Sequence, residues 1–246
     1  MSGREPILLL TGASRGIGHA TVRRFSDAGW RVLTISRQPF DPRCPWKGGA
    51  ANHIQLDLAD IEAIPDALAR VREIAGGRLD ALINNAAISP KHAGGGGKIR
   101  ALEMGYRDWL TVFNVNFFAP LALVQGFREE LIASRGSVVN MTSIVGSRVH
   151  PFASAAYATS KAALAALTRE LAADFGRAGV RVNAVSPGEI ETAILSAGTE
   201  EIVERSIPLR RLGQPREVAD LLFFLCSDQA QYMNGSEVHI DGGQRV

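Results

Sequence analysis

The stretch ILLLTGASRGIG (7–18) decides the fold of this 246-residue chain. Its short apolar start predicts a buried strand, and the apolar spacing over 17–28 predicts a helix. Gly12, Gly16 and Gly18 lie between the two. A strand that passes through a glycine-rich turn into a helix begins a βαβ unit of a parallel sheet.

The glycine turn predicts a phosphate site. Without Cβ atoms the backbone approaches a pyrophosphate closely, and the N-terminus of the following helix favours its negative charge. The spacing is GxxxGxG rather than the common GxGxxG. The same residues also match GxSxG, the nucleophile elbow of hydrolases, with Ser14 as the nucleophile. That alternative is disfavoured because the only late histidine, His239, lies inside a predicted strand.

Outward from this turn, strands and helices alternate. The strands are predicted at 7–11, 31–36, 53–57, 81–85, 137–142, 181–186 and 237–240. The helices are predicted at 17–28, 60–75, 106–133, 155–177 and 215–227, with a short helical piece at TEEIVER. This order predicts an α/β, doubly wound Rossmann fold with a seven-stranded parallel sheet and helices on both faces. Residues 1–246 form a single predicted domain, with substrate loops near 89–105 and 189–212.

Bulk composition excludes several classes of protein. The 27 basic and 25 acidic residues nearly balance and form no basic run, so no nucleic-acid partner is expected. The two cysteines form no CxxC, and the five histidines share no metal-ligand spacing, so no metal is expected. Neither a signal peptide nor a stretch of membrane-span length is evident. A soluble cytoplasmic protein is expected.

The chemically interesting residues gather at one edge of the predicted sheet. Each stands at or just after the carboxyl end of a strand, where open parallel sheets bind ligands. They are Gly12, Ser36, Asp57, Asn84, Ser143 and Pro187.

The residues after the second strand favour NADP over NAD. NAD-binding units place a carboxylate there for the ribose hydroxyls. This chain has Ser36 and Arg37 instead, and Arg15 in the glycine turn adds a second positive charge. Guanidinium groups attract a 2′-phosphate, whereas a carboxylate repels it.

Tyr157 and Lys161 lie four positions apart in the helical segment AAYATSKAAL (155–164). Residues with this spacing share a helix face. A free tyrosine titrates near pKa 10, and a neighbouring ammonium lowers that pKa. We therefore expect Tyr157 to transfer a proton.

With these motifs in place, the chain resembles the short-chain dehydrogenase/reductase family over nearly its whole length. The resemblance rests on TGASRGIG, Asp57, NNAA (84–87), Trp109 followed by Asn116, Ser143, YATSK, PGEIET (187–192) and the closing IDGG (240–243). Ala87 departs from the family's usual glycine. Ser143 and Tyr157 are fourteen positions apart, slightly more than is common, and the extra length falls in SRVHPFASAA.

The resemblance assigns roles residue by residue. It implies a catalytic tetrad of Asn116, Ser143, Tyr157 and Lys161. It implies a pyrophosphate and ribose site at Gly12, Ser14, Arg15, Gly16, Ile17 and Gly18. Asp57 and Leu58 would flank the adenine, and Asn84 and Ala86 the adenosine ribose. Pro187, Gly188, Ile190 and Thr192 would hold the nicotinamide end.

The implied activity is NADP(H)-dependent interconversion of a ketone and a secondary alcohol by hydride transfer. A 3-oxoacyl thioester is the favoured substrate, and a sugar or small alcohol is the alternative. The resemblance also implies a homotetramer, packed through helices 106–133 and 155–177 and the C-terminal strand. A non-catalytic nucleotide-sensing protein stays open, although such a protein needs neither Tyr157 nor Lys161.

Overall fold

All seven strands form one parallel sheet in the order β3-β2-β1-β4-β5-β6-β7. The computed structural model describes residues 4–42, 44, 46, 48–92, 97–192 and 199–246. The strands are β1 (Ile7–Thr11), β2 (Arg31–Ser36), β3 (His53–Gln55), β4 (Ala81–Asn84), β5 (Ser137–Met141), β6 (Arg181–Pro187) and β7 (Glu237–Ile240). The chain reverses its direction of travel across the sheet between β3 and β4, and ligands bind at such a switch point.

The helices cover both faces of the sheet. They are α1 (Gly16–Asp27), α2 (Ile64–Ala75), α3 (Tyr106–Phe113), α4 (Ala119–Gly126), α5 (Arg128–Ser134), α6 (Ala155–Gly176), α7 (Thr199–Ser206) and α8 (Pro215–Cys226). A π-helical turn, Asn114–Phe118, joins α3 to α4. Short 3₁₀ turns lie at Gly49–Asn52, Ile61–Ala63, Ile144–Gly146 and Asp228–Ala230.

Alternate residues of each strand enter opposite cores. Leu8 and Leu10 of β1 pack with Phe25 of α1 and Leu222 of α8. Ile7 and Leu9 enter the other core, formed with α2, α4, α5 and α6. Strands buried on both faces need the nearly continuous apolar sequence that ILLL supplies.

Two expectations from the sequence need correction, and a third is only partly covered by the described residues. β3 ends at Gln55 rather than at residue 57: the N–H of Leu56 still donates to the carbonyl oxygen of Ser36 at 2.9 Å, and the chain then turns at Asp57, which accepts from the N–H of Ala59. The predicted helix 106–133 is divided by the π turn and by a break at Phe127. The predicted loops 89–105 and 189–212 include residues 93–96 and 193–198, which lie outside the described residues.

The expectation that no segment reaches membrane-span length also needs correction. Within the described residues, α3, the π turn and α4 together span Tyr106–Gly126, and these 21 residues are long and apolar enough to cross a membrane by length and composition alone. Only 39% of its most apolar window is buried inside the protein. Its polar residue Asn116 is nevertheless fully buried and bonded to α6, as in a helix packed on protein.

Candidate active site

A cleft of about 840 Å³ opens along the carboxyl edge of the sheet. Its walls come from the ends of β1, β2, β5 and β6, from the segments after β3 and β4, and from α6. Of the predicted site residues, those on its wall are Gly12, Ser14, Arg15, Gly16, Ile17, Gly18, Ser36, Arg37, Asp57, Leu58, Ala86, Tyr157, Lys161, Pro187 and Thr192.

The glycine turn is closely packed where the chain has no Cβ. Gly12 has φ +72°, and a Cβ there would lie 2.8 Å from Cα of Ala86. At Gly18 a Cβ would lie 2.0 Å from the carbonyl oxygen of Gly12. The turn therefore depends on glycine for its own geometry as well as for access of a ligand.

The N-terminus of α1 suits an anion. The helix begins at Gly16, its N-cap residue Arg15 makes no side-chain cap, and its first turn has no acidic residue. The first backbone N–H groups of α1 can therefore donate hydrogen bonds to an anion, and the helix dipole adds positive potential there. Together with the size of the cleft, these features fit the pyrophosphate of a dinucleotide.

Asn85 holds the glycine turn in place. The sequence predicted this role for neither of the two asparagines in NNAA (84–87). Its side chain donates to the carbonyl oxygens of Thr11 and Gly12, both at 3.0 Å. Asn84 instead donates to Asn140 at 2.9 Å inside the sheet, away from the cleft wall. The alternation of side chains along β4 separates the two asparagines.

The far end of the cleft is lined by residues that follow β2. The exposed Arg37 lies on this wall, and the buried Ser36 hydroxyl donates to the carbonyl oxygen of Gln38 at 2.9 Å. Phe40 and Asp41 line the same end. The carboxylate absent from the end of β2 is thus present five positions later, at Asp41, a position that the sequence did not point to.

Tyr157 and Lys161 lie on the cleft-facing side of α6. The buried Ser154 caps this helix and accepts from the N–H of Tyr157 at 3.4 Å, which places Tyr157 in its first turn. Lys161 is 2% exposed, with Nζ 5.6 Å from the centre of the Tyr157 ring. Nζ donates to the carbonyl oxygen of Met141 at 2.6 Å.

Burial moves both groups toward their neutral forms. Burial raises the pKa of Tyr157, a hydrogen bond with the Ser143 side chain lowers it, and the charge of Glu189 raises it again. Burial lowers the pKa of Lys161 to about 7. The chain's own groups therefore keep the Tyr157 phenol protonated at neutral pH, contrary to the expectation that Lys161 acidifies it.

Ser143 stands two residues past β5 and hydrogen-bonds the Tyr157 side chain, although it is not itself among the described residues of the cleft wall. It is half-buried and caps the turn Ile144–Gly146, accepting from the N–H of Val145 at 3.5 Å. Its link to Tyr157 brings a hydroxyl beside the phenol. Two hydroxyl groups so arranged are able to bind one carbonyl oxygen.

Asn116 lies in the π turn and its side chain is fully engaged. It donates to the carbonyl oxygen of Ile88 and to the Ser160 hydroxyl, both at 3.0 Å, and accepts from the N–H of Ile88 at 2.9 Å. Pro120, four positions later, has no N–H for the carbonyl of Asn116. The backbone carbonyl of Asn116 thus lacks the usual α-helical donor four positions on, and its side-chain amide is committed to Ile88 and Ser160.

Gly188 and Ile190 do not appear on the cleft wall. A Cβ at Gly188 would lie 2.8 Å from Cβ of Asp241, so this glycine lets β6 pack against the segment after β7. Ile190 is buried and forms a backbone bridge to Gly213.

The geometry opposes the hydrolase alternative. Three strands separate β1 from β7, so Ser14 and His239 stand roughly four strand spacings, about 19 Å, apart.

The described residues contain no group of three or more His, Cys, Asp or Glu side chains able to hold a metal.

Known proteins show the same organisation. A family model described as enoyl-(acyl carrier protein) reductase matches residues 12–245. Protein FixR of Bradyrhizobium diazoefficiens is 55% identical, covering 99% of this chain and 88% of its own. The 3-oxoacyl-(acyl-carrier-protein) reductase FabG of Thermotoga maritima is 34% identical over 96% of each chain.

A solved structure extends the likeness to three dimensions. The short-chain dehydrogenase/reductase family oxidoreductase of Brucella ovis, in complex with a partially ordered NAD, superposes with a TM-score of 0.83. It is 52% identical and covers 96% of this chain and all of that one. The chain is therefore an oxidoreductase that belongs to the short-chain dehydrogenase/reductase family.

Proposed function

We propose that the protein interconverts a ketone and a secondary alcohol, using NADP(H) as the hydride carrier. The observation that carries this proposal is the Tyr157 phenol on the cleft wall, beside the buried Lys161 and the Ser143 hydroxyl. A protein that only senses a nucleotide has no use for this arrangement.

The residues have complementary tasks in carbonyl reduction. Reduced nicotinamide, when bound, supplies the hydride. Tyr157, held neutral by burial, donates a proton to the carbonyl oxygen. Ser143 donates a hydrogen bond to the same oxygen and fixes its position. Lys161 resupplies the proton, since a pKa of about 7 lets it exchange protons near neutral pH.

Preference for NADP is supported by Arg15 and Arg37, which both line the cleft and are exposed. The Brucella relative was solved with NAD, and Asp41 brings a carboxylate to the same end of the cleft. Asp41 and Asp57 equal the two guanidinium groups in number, so the proposal rests on Arg37 at the end of β2, where a guanidinium can bind a 2′-phosphate by charge-assisted hydrogen bonds.

A 3-oxoacyl thioester is the proposed substrate, because the FabG reductases among the relatives are named for that reaction. A sugar is the second candidate, since a structural neighbour from Thermoplasma acidophilum is an aldohexose dehydrogenase. The substrate would enter between the loops near 89–105 and 189–212.

We further propose a cytoplasmic homotetramer with no membrane or nucleic-acid partner. Apolar side chains on the outer face of α3 and the π turn support self-association, since Leu110 is 41% and Phe118 42% exposed. An α3 face of this kind is expected to pack against a second copy rather than against water.

The test is a panel of 3-oxoacyl thioesters, sugars and simple ketones, each assayed with NADPH and NADH by nicotinamide absorbance. We expect turnover with NADPH, and the Tyr157→Phe variant should lose at least about 10³-fold in kcat while keeping its affinity for NADPH. Tight NADPH binding without turnover of any substrate would favour the sensor, and a preference for NADH would refute the assignment of Arg37.

A further inference from the structure

Phe40 places an aromatic ring on the wall of the cleft, in the loop that follows β2. The side chain is half-buried, so part of the ring stays open to a ligand. It shares this end of the cleft with Arg37, the proposed partner of a 2′-phosphate. The family resemblance assigns the adenine to Asp57 and Leu58, which belong to a different segment, and gives no role to Phe40.

The loop reverses its direction directly after Phe40. The N–H of Cys44 donates to the carbonyl oxygen of Asp41 at 2.9 Å, which closes a tight turn. Pro42 occupies the second position of this turn, where its fixed φ is favoured, and an aspartate is favoured at the first. The reversal brings Trp46 against Phe40, with ring centroids 5.9 Å apart and ring planes at 85°.

Two further elements hold this aromatic pair. The ring of Trp46 contacts that of His19 in α1, with centroids 5.2 Å apart, and the ring of Phe40 lies 6.0 Å from that of His53 in β3. These contacts are edge-on or tilted, which is the geometry that aromatic rings prefer. The Phe40 ring therefore has a fixed place in the wall.

Hydrogen bonds tie the start of the loop to β3. Nε2 of His53 lies 3.0 Å from the carbonyl oxygen of Gln38, and because a carbonyl oxygen only accepts, Nε2 carries the proton of this contact. The side chain of Gln55 donates to the carbonyl oxygen of Arg37 at 3.2 Å. The backbone that leads into Phe40 is thus held on the sheet, and such support keeps a side chain in one orientation.

The positions of the glycine turn and of the catalytic side chains determine where the adenosine lies. Ser143 follows β5, and Lys161 bonds to Met141 at the end of β5, so the nicotinamide half belongs on that side of the glycine turn. The adenosine half then extends the other way, over the ends of β2 and β3. The end of β2 is one strand spacing, about 5 Å, from the end of β1.

We propose that Phe40 is a binding residue for the adenine base, against which its ring packs. This inference rests on the proposed function, because it names a contact to the proposed cofactor. An adenine base is a flat π system, and an aromatic side chain on which it stacks binds it without needing a hydrogen-bond pattern. Arg37 binds the 2′-phosphate of the same adenosine, so two residues of one loop recognise two parts of it.

The test uses two ligands that lack nicotinamide, ADP-ribose and 2′-phospho-ADP-ribose, with affinities measured by calorimetry. Phe40→Ala should weaken both by the same factor, roughly ten- to a hundredfold, because both contain the base. Phe40→Tyr keeps an aromatic ring and should stay within about threefold of the parent protein. Phe40→Leu keeps an apolar side chain without the ring and should lose at least about fivefold.

Phe223→Ala is the matched control. Phe223 is also half-buried and packs its ring against Phe25 and Trp30, but it is not among the described residues of the cleft wall. This variant should leave both affinities unchanged. An unchanged affinity in Phe40→Ala, or equal losses in Phe40→Ala and Phe223→Ala, would overturn the proposal.

Arg37→Gln separates this inference from the proposed function. It should weaken the binding of 2′-phospho-ADP-ribose alone, since ADP-ribose lacks the phosphate that Arg37 binds. A parent protein that binds ADP-ribose at least as tightly would count against the preference for NADP(H) alone, because the effect of Phe40→Ala does not depend on that phosphate. Binding of neither ligand would overturn both.

The support that Trp46 gives to Phe40 has its own pair of variants. Trp46→Phe keeps an aromatic partner beside the ring, whereas Trp46→Ala does not. We expect Trp46→Ala to lose at least about fivefold in affinity for ADP-ribose, and Trp46→Phe less than about twofold. Equal losses in the two variants would show that Trp46 is not a positioning residue for Phe40.

Discussion

Lys161 places a titratable amine where water does not reach it. Its pKa is lowered from 10.5 to about 7, so between these pH values the unfolded chain binds more protons at this residue than the folded chain. The stability of the protein therefore rises with pH across that window. Below pH 7 the cost of burying the charge is fully present, and above 10.5 it vanishes.

Lys161→Met should therefore abolish turnover and stabilise the fold. At pH 6 the expected gain is about 3 kcal/mol, after allowing for the lost hydrogen bond to Met141. Urea unfolding at pH 6, 7.5 and 9 should show the gain shrinking as pH rises. A gain that is independent of pH would mean that Lys161 is not buried as a near-neutral amine.

Arg37 is the side chain that we propose favours NADP(H) over NAD(H). Arg37→Gln should lower kcat/KM for NADPH by roughly ten- to a hundredfold, the worth of a charge-assisted hydrogen bond. The value for NADH should stay within about threefold. Arg23→Gln, on the exposed face of α1, serves as the control. Equal losses with both cofactors would show that Arg37 does not contact a 2′-phosphate.

Which side chains reach the cleft was only partly predictable from the sequence. Four of the six predicted strand-end residues line the cleft, because parallel strands end at one edge, whereas Asn84 bonds inside the sheet and Ser143 lies off the wall. Asp41 was not predictable, because its position depends on the path of the loop after β2. The raised pKa of Tyr157 was also not predictable, because burial and the charge of Glu189 depend on tertiary contacts that leave no pattern in the local sequence.

At the scale of elements, the connection from β1 to α1 depends on Gly18. A Cβ there would meet the carbonyl oxygen of Gly12 at 2.0 Å, so Gly18→Ala must displace the turn. We expect a loss of at least about 2 kcal/mol in unfolding free energy and of tenfold in NADPH affinity, measured by denaturation and fluorescence titration.

Gly105→Ala is the matched control for this substitution. Its nearest atom would be Oδ2 of Asp108 at 3.5 Å, an ordinary contact, and Gly105 caps α3 with an extended backbone. Its cost should stay below about 1 kcal/mol. If Gly18→Ala is equally mild, the packing of the turn is looser than its geometry indicates.

The apolar runs and the glycine and proline residues between them predicted most strand and helix positions, including all seven described strands. The sequence did not predict that the helix 106–133 is divided. Its apolar residues continue through the break, and the π turn arises where Asn116 bonds to Ile88 and Ser160, which are distant in sequence. Only tertiary contacts identify such a turn.

At the scale of the whole molecule, the outer face of α3 and the π turn should decide the state of assembly. Replacing Leu110 and Phe118 together by arginine places two charges on that face. We expect a tetramer to fall to dimers or monomers in light scattering after size exclusion. Glu73→Arg, on the exposed side of α2, should leave the mass unchanged. A parent protein that is already monomeric would contradict the proposed tetramer.

Gln244 has a practical consequence for anyone handling the protein. It is 3% exposed, yet it accepts from the N–H of Glu189 in the segment after β6 and from the guanidinium of Arg148 in the loop after β5. Any change at Gln244 would thus disturb the packing of three segments that are far apart in sequence. The folding of a variant altered in this segment should therefore be compared with the parent protein before its kinetic data are interpreted.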